Sequence, residues 1–172
     1  VRIVDLSHEY ADDMPLYPGL ATPSFLDIAR VEQDGYAMSE YRLLNHIGTH
    51  VDAPSHQIAG GDTLDEIPLE RLVTDAWGSE AYWTGWSYPD VEAAGALIER
   101  GVVGIGFDGP SADPVDTETF ELHKVWLGAG RMILENLTNL DLLPARTQVV
   151  VAPLKVHAAN GAPARVLAFV PD

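Results

Sequence analysis

The chain has 172 residues, of which 47% are hydrophobic and 21% charged; its formal net charge is −16 and it contains no cysteine. That length and apolar content suit one domain with a real core, and no apolar run approaches the roughly 20 residues of a membrane-spanning helix. The acidity argues against nucleic acid and anionic membrane surfaces as partners, while the lack of cysteine excludes disulfides, thiolate metal sites and a cysteine nucleophile.

Taken in chain order, the opening V-R-I-V-D-L-S-H carries no signal-peptide pattern, so a cytoplasmic location is expected. Val1 to Ser7 alternates weakly and predicts a first strand. Met14 to Gly19, M-P-L-Y-P-G, is a proline-pinned loop holding Tyr17. Phe25 to Val31 and Tyr36 to Leu44 predict two strands joined by a turn at Gln33-Asp34-Gly35. After a turn at Gly60-Gly61-Asp62 comes a short irregular or helical segment from Thr63 to Arg71. The run Trp77 to Trp86, W-G-S-E-A-Y-W-T-G-W, is aromatic, glycine-punctuated and irregular; it suits a packed loop, a substrate lid or a subunit contact.

Asp90 to Arg100 predicts an amphipathic helix with Asp90 as N-cap, Val91, Ala94, Leu97 and Ile98 as the apolar stripe, and Gly101 past its end. Val102 to Phe107 is a continuous apolar run and predicts a buried central strand. The loop Asp108-Gly-Pro-Ser-Ala-Asp-Pro114 follows at that strand's C-terminal end, where α/β sites gather. Thr117 to Gly128 predicts a second helix carrying His123, and Arg131 to Leu134 a strand followed by Glu135. Gln148 to Val156 and Ala164 to Val170 predict two strands joined by an Asn160-Gly161 hairpin turn. Helix and strand alternate, which predicts a single α/β domain with a central mixed β-sheet flanked by helices.

The most informative stretch is Asn45 to His56, N-H-I-G-T-H-V-D-A-P-S-H, in which His46, His50, Asp52 and His56 follow at gaps of four, two and four residues. In an extended chain even gaps place side chains on one face. Gly48 and Pro54 argue against a helix. The stretch therefore reads as a strand running into a loop, with three imidazoles and a carboxylate converging. These are ligand types that suit zinc, manganese or iron(II). The alternative, a solvated polar loop, leaves the shared facing unexplained.

The block His46-Ile-Gly-Thr-His50-Val-Asp52-Ala-Pro-Ser-His56 resembles the H-x-G-T-H-x-D-x-P-x-H signature of the cyclase-like metal-dependent hydrolases, a family that includes bacterial kynurenine formamidases and isatin hydrolases. Further along, His123, the Glu135-Asn-Leu segment and the closing G-A-P-A-R-V-L-A-F run resemble the family's later blocks. The resemblance implies a cyclase-like, swivelling β/β/α fold. It implies that His46, His50 and Asp52 hold a first divalent ion, zinc or manganese, with Asp52 able to bridge to a second. His123 and Glu135 complete the site, and His56 acts as proton donor and acceptor. Tyr17 falls where formamidases usually carry a tryptophan against the substrate; with Trp77 and Tyr82 it offers aromatic walls for a flat ring. Family members are commonly dimers or tetramers, so a homo-oligomer is expected. Without the resemblance, His123 and Glu135 would read as ordinary surface residues.

One departure stands out. Relatives usually carry a strand, a helix and another strand between the segments like Leu72–Ala76 and the run beginning at Trp77. Here Ala76 abuts Trp77, so roughly 40 residues, comparable to one βαβ crossover, are absent, either through a true deletion with a repaired sheet or, the favoured reading, because a segment is omitted from this sequence. A break there would show as an Ala76–Trp77 Cα separation well beyond the normal value of about 3.8 Å.

A divalent ion in such a set lowers the pKa of bound water from about 15.7 toward about 7 and polarises a carbonyl, while an imidazole titrating near 6.5 suits proton transfer at His56. No G-x-S-x-G elbow occurs to support a serine nucleophile. The expected activity is hydrolysis of a C–N bond in a small amide, led by an aryl formamide such as N-formylkynurenine. The alternatives are hydrolysis of a cyclic amide or lactone, a polyketide-type cyclase or dehydratase, and a non-catalytic metal-binding module.

Overall fold

Residues 1–77, 89–114 and 117–171 are described by the structure, a computed structural model of the chain. Its β-rich second half builds the frame. Two long strands, β8 (Arg146–Pro153) and β9 (Gly161–Val170), pair antiparallel, and both alternate buried and exposed residues as strands with one face in a core do. β1 (Arg2–Asp5) adds to β9, β5 (Val73–Trp77) to β8, and β4 (His50–Asp52) to the start of β9. β7 (Met132–Glu135) continues from β4 antiparallel, and β6 (Gly104–Gly106) pairs parallel to β7. The sheet order is β5-β8-β9-β4-β7-β6, with β1 also on β9. This is the mixed sheet the sequence predicts.

Helices α3 (Val91–Glu99) and α4 (Glu121–Gly128) cover one face of the sheet. Asp90 caps α3 through its carboxylate and the amide of Ala93 (2.7 Å). Trp126 of α4 is fully buried, and its indole N–H donates to the carbonyl of Met132 (2.9 Å), fixing the helix to β7. Phe107, Leu122, Leu127 and Ile133 fill this layer. The other face packs Val51, Val149, Val151 and Val166 against Val4, Leu6, Leu64 and Leu72, the last at the end of the short helix α2 (Leu69–Leu72).

Several expectations need correction. The apolar run from Val102 to Phe107 yields only the three-residue β6, half-buried and at the end of the sheet order among the described residues, not a central strand. Gly101, in a left-handed conformation, and Val102 are used to turn the chain out of α3. The second helix begins at Glu121, because Phe120 adopts a left-handed conformation (φ 48°) that stops it extending back to Thr117. Between β2 (Ser24–Ala29) and β3 (Met38–Arg42) the turn is a four-residue helix, α1 (Val31–Asp34), closed by Gly35 at φ 78°. Asn160-Gly161 is not a tight hairpin turn either: Pro153 pairs with Ala164, Gly161 is already the first residue of β9, and residues 154–160 form the loop. Ala76 and Trp77, at the junction where a break was expected, take consecutive positions opposite Thr147 and Arg146.

Candidate metal centre

Three of the expected residues are brought together by one pairing. His50 and Asp52 lie two residues apart on β4 and so share a face; His50 stands opposite Glu135 of β7 in the antiparallel register, which puts that carboxylate on the same face. Val51 between them points into the opposite core. His50 Nε2 is 3.3 Å from Asp52 Oδ1 and 3.5 Å from Glu135 Oε2. His123 comes down from α4, with Nε2 at 3.5 Å from Asp52 Oδ2 and 3.3 Å from Glu135 Oε1. All four side chains are buried.

His46 and His56 arrive differently from the expectation. Only residues 50–52 are a strand; residues 45–49 bend, with Gly48 at φ 55°, and residues 54–56 form a 3-10 turn. The even spacing therefore explains His50 and Asp52 alone. The bend returns His46 over the start of β9, where its Nδ1 meets Asp52 Oδ1 at 2.7 Å. The turn stacks His56 on His46 with ring centroids 3.9 Å apart. Two triads with ligand atoms within 4.8 Å of one another result, His46–Asp52–His56 and His50–Asp52–Glu135, and Asp52 belongs to both.

The bend is held in place by groups far away in sequence. The Tyr10 hydroxyl lies 3.0 Å from the carbonyl of Ile47 and 2.5 Å from that of Thr49, and burial pushes its phenol pKa up. Thr49 Oγ1 donates to the carbonyl of Asn136, next to Glu135, while Asn136 Nδ2 donates to the carbonyl of Gly48 (3.1 Å). That same Gly48 carbonyl lies 2.9 Å from His50 Nδ1, so the ring donates there and turns Nε2 toward the carboxylates.

The electrostatics are those of a crowded acidic cluster. Burial favours the neutral form of both rings, but the hydrogen bond and charge of Asp52, with Glu135, raise His50 to about 9, and the facing carboxylates of Asp52, Glu135 and Asp113 raise His123 to about 10. Burial works against the Asp52 carboxylate, yet the surrounding imidazoles hold it well below the usual carboxylate range. Glu135 is pushed up by burial and by Asp52. His56 is lowered to about 4, by burial first and then by the neighbouring imidazoles, and so is neutral at physiological pH.

The donor set fits a divalent cation. Asp52 Oδ2 is buried with no hydrogen-bond partner, an expensive arrangement for a carboxylate oxygen unless a cation faces it. Imidazole nitrogens and carboxylates converge there, the ligands that zinc and manganese take. Of the substrate-facing expectations, Tyr17 sits half-buried in a loop whose Met14 packs against Gly48. The side chain of Trp77 and all of Tyr82 lie outside the described residues. Three residues near the centre are given no role there by the sequence: Asp113, Asn136 and Asn160, whose Oδ1 lies 3.2 Å from His46 Nε2.

The family described as "Putative cyclase" matches residues 4–80. The kynurenine formamidase of Salinibacter ruber is 27% identical, the match covering 100% of both chains, and that of Bordetella petrii is 29% identical over 96% of this chain and 97% of its own. Among solved structures, isatin hydrolase A from Labrenzia aggregata, bound to benzyl benzoate, superposes with a TM-score of 0.84 at 26% identity, covering 99% of this chain and 94% of its own. A potential metal-dependent hydrolase with cyclase activity superposes at 0.81 with 25% identity, covering 99% and 98%. The family match lies across the imidazole-rich block, and relatives and folds align nearly end to end, so this chain is similar to the cyclase-like hydrolases in both sequence and fold.

Proposed function

We propose that the chain is a metal-dependent amidohydrolase that cleaves the C–N bond of a small amide, with an aryl formamide such as N-formylkynurenine as the leading substrate. The observation that carries this reading is the convergence of His46, His50, His123 and Glu135 on Asp52, one of whose carboxylate oxygens is buried without a hydrogen-bond partner. Those five residues would hold one or two zinc or manganese ions, with Asp52 the member common to both groups. A bound ion supplies Lewis acidity toward a carbonyl and a water more acidic than bulk water.

His56, neutral and at the edge of the cluster, takes a proton from the attacking water and delivers it to the leaving nitrogen. The water oxygen bonds to the carbonyl carbon, the C–N bond breaks, and an aryl formamide yields formate and the free amine. Tyr17 lies on the loop over the bend and serves as one aromatic wall; Trp77 and Tyr82 are proposed as others. Hydrolysis of a cyclic amide or lactone is the second reading, favoured by the superposition on isatin hydrolase A.

The oligomer forms part of the same proposal. β2 and β3 pair only with each other among the described residues, and Leu26, Ile28, Met38 and Tyr41 are exposed on them. An isolated two-stranded hairpin is marginal in water, which supports a homodimer or homotetramer that covers it. No helix of the described residues is long and apolar enough to cross a membrane; a cytoplasmic location is proposed alongside. We also read about 40 residues, one crossover unit, as lacking at Ala76–Trp77. The alignment with the Salinibacter ruber relative, at 211 positions against 172 residues here, supports this, and an intact native mass well above 18.6 kDa would establish it.

The test is a panel of formyl-anilides, isatin, lactones and cyclic imides with added zinc or manganese, alongside metal analysis by mass spectrometry. Turnover of formyl-anilides supports the leading reading. Turnover of isatin or lactones alone selects the second. Conversion without net hydrolysis points to a cyclase or dehydratase, and bound metal with no turnover to a binding module.

A further inference from the structure

Helix α4 lacks a capping side chain of its own: Phe120 at its N-cap position is in the left-handed region and offers no oxygen. The amides of its first turn, which have no partner within the helix, are satisfied from outside. Asp113, only 3% exposed, accepts from the amide of Leu122 through Oδ1 (2.9 Å) and from that of His123 through Oδ2 (3.0 Å). The same Oδ2 lies 2.5 Å from His123 Nδ1. A carboxylate receiving two amide hydrogens presents only acceptors, so Nδ1 keeps its hydrogen and Nε2 is the nitrogen that gives up its proton and offers its electron pair when a cation binds. Nε2 is the atom that faces Asp52 and Glu135. The residue before it adds to the effect, since the Ala112 amide donates to Glu135 Oε1 (2.9 Å).

We propose that Asp113 is a positioning residue of the metal centre: it holds the His123 ring in the tautomer and orientation that present Nε2 to the cation, and caps α4 in the same act. This rests on the reading of the cluster as a metal site. One carboxylate thus couples the start of a helix to the aim of a ligand, so that His123 cannot turn away without uncapping α4.

Asp113→Asn separates the two roles. Its Oδ1 still accepts a helix amide, but its Nδ2 donates to Nδ1 and drives the ring hydrogen onto Nε2. Asp113→Ala loses both roles. Full-length protein is stripped of metal and titrated with zinc. The expected result is a metal-free melting temperature for Asp113→Asn within a few degrees of wild type, with zinc affinity lowered about 10- to 100-fold; Asp113→Ala falls on both counts. Wild-type affinity in a folded Asp113→Asn overturns the proposal. A wild-type protein that takes up no zinc, manganese or cobalt overturns the metal reading itself and this proposal with it. Should Asp113→Asn fail to fold, nitrogen–proton correlation spectra of the zinc-loaded wild type decide. His123 protonated on Nδ1 supports the proposal, and His123 protonated on Nε2 overturns it.

Discussion

The His46 ring fills the space that a side chain at Gly161 would need: a Cβ added to Gly161 would overlap the ring and stand 2.8 Å from the carbonyl oxygen of Val51. Gly161 is opposite Asp52 in the β4–β9 pairing, so the absence of a side chain there lets the imidazole reach the carboxylate. Gly161→Ala is expected to push His46 off Asp52, weakening zinc binding at least 10-fold while costing about 1–3 kcal/mol of stability as overpacking does. Calorimetric titration with zinc and urea unfolding measure the two effects, and unchanged zinc affinity would count against His46 as a ligand.

His56 and His50 are expected to separate chemistry from binding. His56→Ala keeps its metal and loses about 10²- to 10⁴-fold in turnover, the range of general acid–base catalysis. His50→Ala loses metal and turnover together, because His50 lies between Asp52 and Glu135. Metal content by mass spectrometry and single-substrate kinetics read both; full turnover by His56→Ala would remove its assigned role.

The raised imidazoles have a consequence for the metal-free protein. His50 and His123 titrate at about 9 and about 10 in the fold against an ordinary value of 6.5. The stability they contribute is fully present below about pH 6.5 and is lost as pH rises through about 9 and 10. The stripped protein should therefore melt at a lower temperature at pH 10 than at pH 6.5, with a smaller drop when loaded. Since a ligating imidazole must be deprotonated, zinc uptake near pH 7 should release about two protons. Titration in buffers of different ionisation enthalpy counts them, and zero release would contradict the assignment of both residues.

Thr49 ties the bend to the neighbouring strand. It is fully buried, accepts from the amide of His8 (2.9 Å) and donates to the carbonyl of Asn136 (2.6 Å). Thr49→Val keeps the shape but strands both backbone groups, and should cost about 1–3 kcal/mol in urea unfolding.

What could be read from the chain depended on how local the cause was. Helix α3 was legible because its cap, stripe and terminal glycine all lie within a dozen residues. The pairing of His50 with Asp52 was legible from strand alternation. The arrival of His46 was not, since it depends on a left-handed Gly48 braced by Tyr10 and Asn136. His123 and Glu135 were found only through the resemblance, because the register and helix that place them are long-range. Asn160 read as a turn residue, yet its side chain reaches His46 and Asn45. The Val102–Phe107 run read as a central strand because hydrophobicity does not show that Gly101 and Val102 are consumed in a turn.

The most direct measurement is hydrolysis of a formyl-anilide followed while the stripped protein is titrated with zinc or manganese. The account predicts no hydrolysis before metal is added, then a rate rising in proportion to the ion bound and levelling when the cluster is full. Undiminished hydrolysis by protein shown to be metal-free, or a fully loaded protein that hydrolyses no acyl compound, would contradict it.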